Sequence, residues 1–117
     1  MTNELLTAVL EDLARGLDHW VDAVCTSVEA PDTGLPWMDD PEAFRRLGQE
    51  LDGTDDLRLV VSEGMRGLLH SVLTVLDGAT LSAEVGRVRL VDDDGNLLAE
   101  GLHELFVTHL LDTGRLD

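Results

Sequence analysis

The chain has 117 residues and a formal charge of −16, with 24 acidic side chains against eight basic ones. That length suits a single domain, and a hydrophobic fraction of 44% is enough for a folded core. Acidity of this size repels nucleic acid and anionic membrane and steers basic partners. All eight basic residues are Arg, so a Walker A loop, a Schiff-base lysine and a PLP anchor are all excluded.

Residues 3–29 place Leu6, Leu10, Leu13, Leu17, Val21, Val24 and Val28 at helical spacing. Glu4, Glu11, Asp18, Asp22 and Glu29 are expected on the opposite, solvent side. Pro31, Gly34 and Pro36 break this helix into a loop. Asp40-Pro41 then reads as an N-cap followed by proline at the first helical position. The short helix 41–51 is expected to bury Phe44 and Leu47 and to end at Gly53.

A third helix is expected from Thr54, capped by that hydroxyl, to Asp77-Gly78. It is the most apolar segment, and Leu57, Val60, Val61, Leu68, Leu69, Val72, Leu73, Val75 and Leu76 nearly encircle it. Such a rod is expected at the centre of the fold, packed on more than one side. Gly64 and Gly67 suggest that another backbone comes close there. After Gly78 the period becomes two: Val88 and Leu90 alternate with Arg87 and Arg89. Asp92–Asn96 reads as a turn, and Leu97-Leu98-Ala99 as the return arm of a hairpin. A last helix over about 100–112 carries Leu102, Leu105, Phe106 and Leu110.

No apolar run of about 18 residues is present, so no membrane span is expected. The N-terminus carries acids where a secretory signal needs bases. Cys25, the single cysteine, fits a reducing compartment and a buried, inert thiol. The expected location is cytoplasmic.

Several familiar constellations fail on spacing. His103 and His109 are six residues apart and point roughly 120° away from each other on a helix, so they do not form a zincin pair. His109 falls in line with the apolar residues of its helix and is expected to be half-buried, whereas His103 is expected at the surface. Setting Gly95 at the sixth position of a calcium loop places Leu90 and Gly101 where acidic ligands are required. None of the four serines lies in a G-x-S-x-G elbow.

Two groupings remain. Ser62, Arg66, His70 and Thr74 form a polar line on the third helix. It reads either as a structural network or as a cleft in which His70 acts as acid or base beside Glu63 or Asp77. In the loop before the second helix, Trp37 and Met38 beside Asp39 and Asp40 suit a partner hot spot ringed by charge, or Trp37 lids the core.

The segments Leu69-His70-Ser71-Val72-Leu73, Leu76-Asp77-Gly78, Leu90-Val91-Asp92-Asp93-Asp94-Gly95 and Leu102-His103-Glu104-Leu105-Phe106 together resemble small, uncharacterised bacterial proteins. Some of these are similar to the immunity proteins that accompany polymorphic toxins. The resemblance covers the C-terminal half and implies a neutralising or interaction role. It carries over no active-site residues.

The sequence therefore predicts a mainly α (α+β) single domain over residues 1–117. Four helices are expected, with a small β-hairpin between the third and fourth. The expected function is acidic protein binding, as an immunity-type protein that occludes a basic partner through Trp37, Met38, Asp39 and Asp40. No metal or cofactor is expected. The alternatives are a small hydrolase or metal-assisted enzyme with a cleft built on His70 with Glu63, Asp77 or His103, and a homo-oligomeric structural protein such as a homodimer.

Overall fold

The computed structural model describes residues 2–31 and 38–117. It is mainly helical. The helices are α1 (Thr2–Glu29), α2 (Pro41–Glu50), α3 (Asp55–Leu76) and α4 (Leu102–Asp112), with a short 3-10 turn at Leu81–Glu84. Two compact units are built from them. One comprises Met1–Arg15 and Gly67–Asp117, the other Gly16–Arg66.

Along α1, Leu10, Ala14, Leu17, Val21, Cys25 and Val28 are all buried. Their spacing of three or four residues makes one continuous stripe, as an amphipathic helix requires. Each fully buried aliphatic side chain contributes about 1.5–3 kcal/mol, so this stripe is a principal stabilising feature of both units.

In the first unit, Leu10 and Ala14 share the core with Leu73, Leu98, Leu102, Phe106 and Leu110. Glu11 does not face solvent freely as expected. It accepts two hydrogen bonds from the Arg115 guanidinium at 2.9 and 3.1 Å, one from His109 Nε2 at 2.9 Å and one from Arg15 Nε at 2.9 Å. Arg115, His109 and Arg15 together lower its pKa to about 2. The half-buried position expected for His109 is the one observed.

In the second unit, Asp40 caps α2 by accepting from the Ala43 N–H at 3.2 Å, with Pro41 in the first turn. α2 buries no residue. Phe44 is half-buried and Leu47 is 41% exposed, which corrects the expectation for both. The closest approach is made by backbone: a Cβ on Gly48 would collide with the Val28 carbonyl. The hydroxyl of Thr54 donates to Glu29.

α3 is not central. Leu73 is its one buried residue, while Leu59, Val60 and Leu68 are 64%, 68% and 66% exposed. Composition gave no direction to its apolar residues. The line through Met65, Leu69, Leu73 and Leu76 is turned inward, with Leu73 buried and the others half-buried, and Leu57 and Val61 are half-buried as well. Within Asp55–Glu84 an 18-residue window has a mean hydropathy of 1.3, long and apolar enough to cross a membrane by length and composition. Glu63 and Arg66 interrupt it.

The hairpin also needs correction. Among the described residues there is no strand, and the pairing reduces to an isolated antiparallel bridge between Val91 and Leu97. The turn itself is as expected. Asp92 N–H donates to the Asn96 carbonyl at 2.8 Å, and Asp92 Oδ1 accepts from the N–H groups of Asp94 and Asn96 at 2.9 Å each. The return arm is too short to extend the ladder, because Leu98 turns into the core and Gly101 already begins the entry to α4.

Candidate functional site

The clearest cluster of chemistry-bearing side chains lies where α3 ends and α4 begins. α3 stops at Gly78, whose φ of 72° suits glycine. The N–H of Gly78 reaches the Val75 carbonyl at 3.0 Å, and that of Ala79 reaches the Thr74 carbonyl at 3.1 Å. Arg87 Nη2 donates to the carbonyl of Asp77 at 2.7 Å. A Cβ on Gly78 would strike that guanidinium, so glycine is required here for room as well as for conformation.

α4 starts with Gly101 at its N-cap, a residue with no side chain to satisfy the first amides. Asp77 supplies the cap from elsewhere in the chain. Its Oδ1 accepts from Leu102 N–H at 2.8 Å and its Oδ2 from His103 N–H at 3.0 Å. The Nδ1 of His103 donates to the same Oδ2 at 2.5 Å. Burial pushes the Asp77 carboxyl upward, but the bonds from the His103 backbone, the His103 ring and Leu102 outweigh it and hold the group below its ordinary range.

This geometry fixes the histidine. An ionised carboxylate only accepts, so Nδ1 carries a proton and Nε2 of the neutral ring is left with its lone pair. That Nε2 lies 3.9 Å from Glu104 Oε1. The His70 ring meets the His103 ring edge-on, with centroids 5.1 Å apart and planes at 85°. His70 is exposed on α3, and His103 keeps 24% of its side chain exposed against 6% for Asp77. The cluster can hold a proton at defined atoms and orient a histidine. Asp77, engaged by three donors, serves as its anchor.

The structure thus brings together His70, Asp77 and His103 from the expected set, with His103 less exposed than its acidic neighbours in the sequence suggested. Glu63 is not part of the cluster. It is exposed two turns before His70, about 10 Å back along the helix axis. Among the described residues the polar line on α3 shows no network of side chains either: Thr74 Oγ1 donates to the His70 carbonyl at 2.6 Å. Among the described residues, no group of three His, Cys, Asp or Glu side chains is arranged to hold a metal ion.

The expected partner loop is described only in part. Trp37 lies outside the described residues. Met38 is half-buried, and Asp39 and Asp40 are exposed. In the second unit a cleft of about 270 Å³ is lined in part by Val28, Glu29, Arg45, Gln49 and Thr54. Within its lining Thr54 is engaged with Glu29, and Arg45 with Glu42. One aromatic that the sequence reading passed over is Trp20, which is 42% exposed on α1. Its position roughly 100° around the helix from the buried stripe was the available signal.

No family model matches the chain, and neither a curated protein nor a solved structure matches it.

Proposed function

We propose that this chain is an acidic protein-binding domain, an immunity-type protein that neutralises a basic partner by occlusion in the cytoplasm. The observation that carries the reading is how the positive charge is used. Arg15, Arg45 and Arg115 are engaged with Glu11 and Glu42, Arg58 with Asp22, and Arg87 with the Asp77 carbonyl. Arginine is therefore spent largely within the chain. The excess of 24 acids over eight bases is left to act on what approaches. Exposed Asp39 and Asp40, with Trp20 as an accessible aromatic, supply the charge and anchor types that protein interfaces use.

This reading agrees with the immunity-type role expected from the C-terminal half of the sequence. Low-salt capture of interactors from the native host on the immobilised chain tests it. One basic protein released by raising salt is expected, and an empty eluate would remove the support.

A second reading, a small hydrolase, draws on the His103–Asp77 pair beside His70. It requires turnover of an ester or phosphoester probe that disappears in His103→Gln while the fold persists. Loss of stability alone would rule it out.

A further inference from the structure

We infer that the cleft in the second unit receives an arginine side chain presented by the basic partner. This rests on the basic-partner reading and names a contact by which that partner is held. The cleft, of about 270 Å³, lies where α1 and α2 both end. Small-molecule sites usually begin at about 300 Å³, so this volume suits one long side chain. Gly48 makes the convergence possible. A Cβ there would collide with the Val28 carbonyl, so the last turn of α2 packs backbone to backbone on the last turn of α1.

Both helices bring the negative ends of their dipoles to this place. The last carbonyls of a helix lack partners within it and carry partial negative charge. Neither α1 nor α2 has a basic residue in its last turn, and they finish on Glu29 and Glu50. A carboxylate at a helix C-terminus is unfavourable until a cation comes to it. Glu29 is exposed and lines the cleft. Its Oε1 accepts from the Thr54 hydroxyl, which leaves Oε2 for an incoming donor. Gln49 adds an amide carbonyl to the same lining. Arg45, which also lines the cleft, is paired with Glu42, so that pair adds no net charge.

The rest of the lining fits the stem of such a side chain. Val28, Pro31 and Leu51 are apolar, and methylenes can lie along them while the charged head meets Glu29. A guanidinium suits the head better than an ammonium. Its planar fork donates to several acceptors at once, and it gives up water more easily.

Titration of the full chain with N-acetyl-arginine methylamide, followed by NMR, tests this. Saturable shifts are expected at the backbone amides of Glu29, Gln49 and Thr54, with a Kd of roughly millimolar. Glu29→Gln, which keeps an acceptor for Thr54, should weaken binding about fivefold or more. The citrulline analogue has the same shape without the charge and should leave these amides in place. No saturable shift, equal binding by Glu29→Gln, or equal binding of the citrulline analogue overturns the inference. So do shifts at the same amides on dilution of the chain alone, which would place a second copy in the cleft. Low-salt capture with Glu29→Gln separates this inference from the reading beneath it. A basic protein held as firmly by the variant as by the wild type removes the cleft and leaves the reading. An empty eluate with the arginine probe still bound removes the reading and leaves the cleft as an arginine site.

Discussion

Asp77 and His103, 26 residues apart, form one hydrogen-bonded unit in which the carboxylate receives both the backbone N–H and the ring Nδ1 of the histidine. Together with the bond from Leu102 N–H, this ties the end of α3 to the start of α4. It replaces the N-cap side chain that Gly101 lacks.

Removing that carboxylate leaves the first amides of α4 and a half-buried ring without a partner. Asp77→Ala is expected to cost about 2 kcal/mol, and Asp77→Asn, which keeps an acceptor, about half as much. Urea unfolding should show a lowered midpoint at unchanged slope. An Asp77→Ala midpoint equal to wild type would mean that the cap contributes nothing.

Acid should act first on the carboxylates held below their ordinary range. For Glu11 the folded value is about 2 against an ordinary 4.5, and Asp77 is also lowered. Their contribution is complete above the unfolded-state values and disappears as pH falls toward the folded ones. Stability should therefore decline from about pH 4.5 towards pH 2, and Glu11→Gln should flatten that limb. Thermal unfolding across this range provides the check, and an unchanged limb in Glu11→Gln would contradict the assignment.

The glycines should separate by environment. Gly78→Ala meets both a positive φ and the Arg87 guanidinium and should cost about 1–3 kcal/mol. Gly64→Ala meets open space on a helix. It should stabilise the chain by about 0.5–1 kcal/mol. Equal effects at the two positions in chemical unfolding would refute the contrast.

Cys25 is buried, and burial pushes its thiol upward. A neutral-pH thiol reagent should label it only as fast as the second unit opens, with the rate rising steeply in denaturant. Prompt labelling of the native protein would show that α1 does not protect it.

The helices were legible because their signals are local. Asp40-Pro41 started α2, the three-to-four spacing from Leu10 to Val28 aligned α1, and glycines lay beyond helix ends. The hairpin was overread because Arg87–Leu90 alternates as a strand would, whereas extending a ladder depends on a return arm that Leu98 and Gly101 cut short. The expectation for α3 failed because hydrophobicity records content and not direction, so a rod apolar on all sides looks central even when Leu73 alone is fully buried. The site was half legible. His70, Asp77 and His103 were all in view as candidates, but what joins Asp77 to His103 is a contact across 26 residues that no periodicity encodes. The missing cap at Gly101 was the one available hint, since a helix that starts without a capping side chain must find an acceptor elsewhere.

The central claim, that the acidic surface binds a basic protein, is tested most directly by low-salt capture with the wild-type chain and an Asp39→Asn/Asp40→Asn variant. Asparagine retains the capping of α2, so a difference between the two reports charge and not folding. The account predicts one basic protein bound by the wild type, released by salt and held less well by the variant. An empty eluate, or a protein retained equally by both and indifferent to salt, would contradict it.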